Sequence, residues 1–325
     1  DIYKNKSLPV DAQNLAFESI KQIYGIIIEQ DYKNIYDNYT VSHLSNTKHK
    51  IEQILDIDSS KIDWSKNMVD YYNTKIISIA NQKGGVGKTT SSVNIAAYLA
   101  VSEAPTLLVD MDPQGNATTG VGIGVGTYKN SIYDLIIGKK DINESILKTD
   151  LDYLDIIPSS GKLVGAEVEL VNQYAREKFL KESLENVIGK YKFIIIDSPP
   201  SLGLLTLNVL TACHSIIIPI QCEYYALEGL SQLLNTIRLV QKHLNSELEI
   251  EGILITMYDN RLKLSRQVVE EVKNYFGNKV YSTFIKRNVR LGEAPSHGKP
   301  IVLYDAASMG AQNYMNLVSE ILNKE

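Results

Sequence analysis

Residues 83–90 read KGGVGKTT: two lysines, three glycines and two threonines around one valine. That set binds phosphate. Gly84, Gly85 and Gly87 carry no Cβ, so successive amides of Lys83–Thr90, Val86 included, can close around phosphate oxygens. Lys88 sets a positive charge against the β- and γ-phosphates, and the Thr89 hydroxyl, with Thr90 beside it, stands where Mg²⁺ is ligated. Two further groups bring carboxylates. Asp110 and Asp112 lie in LLVDMDPQGNATTG, and Asp197 closes FIIID before SPPSLG. An acid at the end of a run of apolar residues is placed to hold Mg²⁺ through water, and Pro199 and Pro200 stiffen the exit after Asp197.

These residues need a strand, a tight turn and a helix to position them. Ile76–Ile79 supplies a β-branched run, the glycines follow, and a helical pattern over Thr89–Val101 begins at once. A loop that leaves a strand and opens a helix aims the helix N-terminus at the same anion. Other short apolar runs stand at Lys75–Asn81, Thr106–Asp110, Leu154–Pro158, Phe193–Asp197, Ser215–Ile220, Gly252–Thr256 and Thr283–Ile285. Helical patterns at Gly165–Ile188, Leu227–Leu244 and Ser265–Phe276 alternate with them. The alternation predicts an α/β fold, a doubly wound, mostly parallel sheet with helices on both faces. The acids then sit at carboxyl ends of parallel strands, where such sheets bind ligands. The glycines of GVGIGVG, 120–126, do not run from a strand into a helix and read as a loop rather than a dinucleotide fingerprint.

The chain divides near residue 74. Residues 1–74 are polar, with Gly25 their only glycine, and predict a small helical extension. Residues 13–30 fit an amphipathic helix, residues 41–57 a second helical unit, and residues 39–57 a small helix-turn-helix. DNA binding, dimerisation and packing all stay open for this extension. Residues 75–325 form the nucleotide-binding domain.

Of 325 residues 44% are hydrophobic, enough for a large core, and the net charge of −5 rules out a globally basic nucleic-acid binder. The two cysteines, Cys213 and Cys222, form neither a CxxC pair nor a disulfide framework, and point to a reducing, cytoplasmic setting. They read as buried small residues at strand ends. His214 and His297 stand in no cluster of metal-ligating residues. No apolar run is long enough to span a membrane.

Charge is unevenly spread. Residues 258–299 hold nine Lys/Arg and four Asp/Glu, an excess of +5 within a chain of −5. Such an excess fits contact with phosphate backbones, or a solvated surface paired to Glu270, Glu271 and Glu293.

The strict GxxxxGK[ST] pattern is not met, because Gln82 stands at its first glycine. What stands instead resembles the deviant Walker A motif, KGGxGK[ST], of the ParA/MinD ATPase superfamily. The segment DMDPQGN resembles that family's switch I, and DSPPS its DxPP segment. KRNVRLGEAPSHGK, 286–299, resembles the RNVRLxEAPSxGKP block of the chromosomal, Soj-like members. The resemblance covers residues 75–322 with at least four motifs in order.

It implies a slow ATPase that binds ATP and ADP with Mg²⁺ and forms an ATP-dependent homodimer. Lys83 would reach the other subunit's nucleotide, as suits a lysine ahead of the loop. Asp112 would position water or sense the γ-phosphate, and Asp110 would lie nearer the Mg²⁺ shell. Met257, directly after the run Gly252–Thr256, completes the expected nucleotide contacts. Arg261, Arg287 and Arg290, with Lys263 and Lys299, would hold double-stranded DNA without reading its sequence. A ParB-like centromere-binding protein would stimulate hydrolysis. The implied location is cytoplasmic and nucleoid-associated.

Two departures stand out: Lys286 replaces a usual proline near the adenine, and EAPT, 103–106, replaces a glycine-containing turn. Three other readings compete. A MinD-like membrane ATPase would end in a basic amphipathic helix, whereas this chain ends NLVSEILNKE. A nitrogenase iron-protein type needs paired cluster cysteines. A DNA-binding repressor that uses ATP only as a ligand draws on the amino-terminal extension.

Overall fold

The structure is a computed structural model that describes residues 72–223 and 228–324. The chain divides into two compact units, Asp1–Met68 and Val69–Glu325. The expected helices at 13–30 and 41–57 and the helix-turn-helix at 39–57 lie outside the described residues.

Seven strands form one sheet. They are β1 (Lys75–Ile79), β2 (Thr106–Asp110), β3 (Leu147–Lys148), β4 (Leu154–Ile157), β5 (Phe193–Asp197), β6 (Ser215–Gln221) and β7 (Glu249–Thr256), in the order β3-β4-β2-β5-β1-β6-β7. All pairs are parallel except β3 with β4. The expected parallel α/β sheet is therefore what forms. Residues of β2 and β5 are buried throughout, because helices cover both faces and no strand position meets water.

Alternate residues feed two cores. Ile76, Leu107, Val109, Ile194, Ile196, Ile216 and Ile218 face one way. Ile77, Ile79, Leu108, Ile195 and Ile217 face the other. Helix α1 (Lys88–Val101) lies on the second face. The chain continues through α2 (Asn116–Gly120), α3 (Ile132–Ile136), α4 (Leu163–Glu169), α5 (Phe179–Glu185) and α6 (Leu204–Ala212). After β6 come α7 (Glu228–His243), α8 (Lys263–Phe276), α9 (Val289–Glu293), α10 (Ile301–Tyr304) and α11 (Met309–Leu322).

Long helices follow their apolar period. Leu230, Leu233, Leu234, Ile237 and Val240 bury one stripe of α7. In α11 the buried stripe is Ala311, Tyr314, Leu317, Val318 and Ile321, and the Tyr314 hydroxyl lies 3.0 Å from Ser91 Oγ of α1. The apolar stripe of this helix is thus packed on the core. Among the described residues no helix is long and apolar enough to cross a membrane.

Two expectations change. Gly165–Ile188 is not one helix but α4 and α5 joined by turns over 170–178. Asn208 of α6 accounts for part of this: its Oδ1 accepts from Leu180 N (3.2 Å) and its Nδ2 donates to Arg176 O (2.9 Å). These bonds hold the start of α5 and the turn before it against α6. Thr283–Ile285 forms no strand; Ile285 N reaches Ile255 O (2.9 Å), and Tyr258 and Lys286 pair only as an isolated bridge. The turn EAPT places Glu103 at φ 58°, a left-handed conformation a glycine would take without strain.

Candidate functional site

The chain passes from β1 leftward to β2 and, after β5, crosses over β1 to β6. The carboxyl end of β1 is therefore the point where the winding reverses, the place where such sheets open a crevice. The glycine loop emerges there. Gly85 takes φ 75° and Gly87 φ 87°, and a Cβ at Gly84 or Gly85 would meet no atom within 4 Å. These residues line an open cradle rather than a packed turn, so glycine serves the backbone path and the space beside it. Thr256, at the end of β7, ties the loop down: its Oγ1 donates to Val86 O (2.9 Å). Met257, next in the chain and half-buried, takes φ 50°. Met257 thus follows directly on the residue that is bonded to the loop.

Lys88 is 7% exposed and its Nζ donates to Lys83 O (2.9 Å). Burial lowers its pKa, while the charges of Asp197 and Asp112 oppose the fall. Burial therefore sets an under-solvated cation against the cradle. Thr89 and Thr90 are half-buried at the first turn of α1. Lys83 lies at the rim, and its Nζ is 2.5 Å from Glu223 Oε2.

Parallel register sets the acids side by side. Asp110 of β2 pairs with Asp197 of β5, and Asp197 with Ile79 of β1. Both aspartates are fully buried, and burial raises both pKa values, Asp197 further through the neighbouring Asp110 charge. Their hydrogen bonding differs sharply. Asp110 Oδ2 accepts from Thr118 N and Oγ1 (2.7 Å each), and its Oδ1 from Asp112 N (3.2 Å). Both of its oxygens are committed to donors of its own chain. Asp197 Oδ1 accepts from Ser92 Oγ (2.7 Å), but its Oδ2, though buried, has no hydrogen-bond partner. A buried acid with an unused oxygen, next to Thr89 and close to Lys88, is the donor expected for a hard divalent cation. The nucleotide and Mg²⁺ thus fit the donors present.

Asp112 is 8% exposed; its Oδ1 caps Gln114 N (2.9 Å) and so shapes the turn after β2. Thr118 links this turn to the exit of β4, since its Oγ1 accepts from Ser159 N (3.0 Å). Thr118 and Ser92 order the acidic pair and were missed from sequence. Their signals, a threonine eight residues after Asp110 and a serine four after Lys88, are too common to single out.

The cations expected at DNA, Arg261, Lys263, Arg287, Arg290 and Lys299, are all exposed. Arg261 is held by Asp259 through Nε (2.9 Å) and Nη2 (2.6 Å). Arg290 pairs with Glu293 (2.8 Å) and Asp305 (3.4 Å). Of the expected ion pairs to acids 270, 271 and 293, only Glu293 takes part; the partner of Arg261 is its neighbour two residues back. Among the described residues Lys263, Arg287 and Lys299 have no ion-pair partner. Lys286 donates its amide to Asn313 Oδ1 (3.0 Å), and its side chain is exposed. Burial raises the thiols of Cys213, to about 12, and Cys222, to about 11, consistent with packed small residues. His214 Nδ1 accepts from Ile76 N (3.1 Å), and His297 stacks on Tyr304.

A family model described as "AAA domain" matches residues 74–250. The chain is 60% identical over 247 residues to the sporulation initiation inhibitor protein Soj of Bacillus subtilis, covering 76% of this chain and 98% of that protein. It is 53% identical over 251 residues to the chromosome partitioning protein ParA of Myxococcus xanthus, 77% and 89% covered. A solved structure of a cobyrinic acid a,c-diamide synthase from Mycobacterium smegmatis, with bound ADP and magnesium, superposes with a TM-score of 0.68. Its identity is 36%, over 77% of this chain and 94% of that one.

Proposed function

From the premise that the chain belongs to the Soj/ParA family of chromosome-partitioning ATPases, we propose that it is an ATP-switched DNA-segregation protein. ATP with Mg²⁺ is held in the Lys83–Thr90 loop. The single observation that carries the reading is the buried Asp197, whose Oδ2 lacks a partner, beside Lys88 at the carboxyl ends of β1 and β5.

The chain's own groups divide the work. The loop amides and the N-terminus of α1 receive the phosphates. Lys88 leaves the Lys83 carbonyl for the β/γ region. Thr89 and Asp197 hold the cation, Asp197 with Ser92 fixing its other oxygen. Bound there, Mg²⁺ supplies the positive charge that offsets the developing phosphate charge. Asp110, with both oxygens engaged, orders the switch I turn rather than ligating directly. Asp112, at the head of that turn, orients the attacking water. Met257 flanks the nucleotide.

Two subunits close face to face, and Lys83 of each reaches the other's nucleotide. No arginine belongs to the site among the described residues, so intrinsic hydrolysis is slow and a ParB-like partner accelerates it. The dimer binds duplex DNA without sequence preference on the face that carries Arg261, Arg287, Arg290, Lys263 and Lys299; Arg287, Lys263 and Lys299 stand ready, and Arg261 and Arg290 join only as their carboxylate partners release them. It lies in the cytoplasm on the nucleoid. The ATPase domain spans residues 75–325.

The test is salt-dependent binding of the full chain to non-specific duplex DNA with no nucleotide, with ADP and with a slowly hydrolysed ATP analogue. Binding only with the analogue, weakening steeply with salt, supports the switch. Binding that ignores nucleotide points instead to a repressor built on the extension.

A further inference from the structure

Lys83 is the cation that the proposed reaction sends across to a second subunit, yet its own chain already occupies it. Nζ is 2.5 Å from Glu223 Oε2, a carboxylate 140 positions away at the exit of β6. The Lys83 main chain is engaged as well. Its N–H donates to Asn81 Oδ1 (3.0 Å), Asn81 Nδ2 donates to Pro219 O of β6 (2.7 Å), and its carbonyl accepts from Lys88 Nζ (2.9 Å). The two lysines are thus satisfied in series: Lys88 on the Lys83 carbonyl, Lys83 on Glu223. A phosphate that draws Lys88 inward competes for the first link and loosens the residue that carries the second.

We propose that Glu223 is a latch. It holds Lys83 back in the unpartnered subunit, and its ion pair opens before two subunits close. Glu223 is then a positioning residue that sets the protein concentration at which dimers form. The inference rests on the reading that Lys83 acts in trans.

The latch is weak by design of its surroundings. The two side chains are 35% and 49% exposed, so water screens the pair. Exposed pairs of this kind shift an equilibrium by at most about five-fold. Closing a dimer opens two latches, and the factors multiply to about 25-fold at most. ATP contacts outweigh that, but a dissociation constant reports it.

The experiment uses the full chain with a slowly hydrolysed ATP analogue and measures the monomer–dimer dissociation constant by sedimentation equilibrium. It compares wild type with Glu223→Gln, Glu223→Asp and Lys83→Ala. Glu223→Gln should tighten the dimer several-fold, within the 25-fold ceiling set out above. Its lead over wild type should close as salt rises from about 50 mM to about 0.5 M, because salt already opens the wild-type pair. Glu223→Asp, which keeps the charge, should fall between the two. A Glu223→Gln dimer no tighter than wild type, or a gain indifferent to salt, overturns the latch. The two readings fail separately. Lys83→Ala dimers as tight as wild type remove the trans role; weak Lys83→Ala dimers with an unchanged Glu223→Gln keep that role and remove the latch.

Discussion

Asp259→Asn is the perturbation that reports most directly on the DNA face. In the structure Arg261 gives two hydrogen bonds to Asp259, which lowers the Asp259 pKa to about 2, so the pair persists at any ordinary pH. Arg290 is likewise engaged by Glu293 and Asp305. Three of the five expected cations, Lys263, Arg287 and Lys299, remain available on each subunit, hence six on a dimer. At about 0.9 per phosphate, the slope of log affinity against log salt is then roughly −5.4. Asp259→Asn frees one arginine per subunit and takes the slope to roughly −7.2. Between about 50 and 200 mM salt the wild type should lose ~2,000-fold in affinity and the variant ~20,000-fold, with the variant tighter at the low end. Fluorescence anisotropy on a random-sequence duplex, with the ATP analogue present, measures both slopes. Equal slopes, or weaker binding by Asp259→Asn at low salt, would refute the assignment of Arg261 to DNA.

Other outcomes follow from single contacts. Lys88→Ala removes the buried cation at the cradle and should weaken nucleotide binding by ~30-fold or more in a fluorescent-nucleotide titration; binding within a factor of three contradicts its role. Asp112→Ala should abolish phosphate release yet leave ATP dimers trapped on DNA in a sedimentation assay, and a variant that stays monomeric with ATP sinks the role given to it. Gly252→Ala would set a Cβ 2.4 Å from Tyr281 Cε2, inside a ring that is fully buried. It should cost about 1–3 kcal/mol, a loss of several degrees in thermal unfolding, and an unchanged midpoint would show that the ring can yield. Burial lowers the His214 pKa, and Nδ1 must stay unprotonated to accept from Ile76 N. The unfolded chain therefore takes up the proton first. The stability from this contact is complete above about pH 6.5 and is lost as pH falls through the lower folded value. His214→Asn, which keeps an acceptor without a titration, should lose less stability than wild type from pH 7 to pH 5.

The sheet and the phosphate loop are legible in the chain because both are local. Four β-branched or apolar residues in a row, as in Phe193–Ile196, suit only a strand covered on both faces, and a glycine loop with its two lysines is set within eight positions. The long helices declare themselves by period. The two-residue β3 has too few residues to show any period, and the break between α4 and α5 depends on Asn208, 28 positions beyond Leu180.

The site divides in the same way. Residue types and spacing by themselves determined that phosphate meets the Lys83–Thr90 loop and that Asp110, Asp112 and Asp197 stand at strand ends. Spacing says nothing of what each oxygen touches. Parallel pairing set Asp110 beside Asp197, and Thr118 filled one carboxylate while leaving an oxygen of the other bare. The Lys83–Glu223 contact needs β1 and β6 to lie side by side, and the Arg261–Asp259 pair needs the turn after β7. Hydrogen bonds and ion pairs act over about 3 Å, so the fold, which decides distances between remote residues, chose which of the legible groups are engaged and which stand ready.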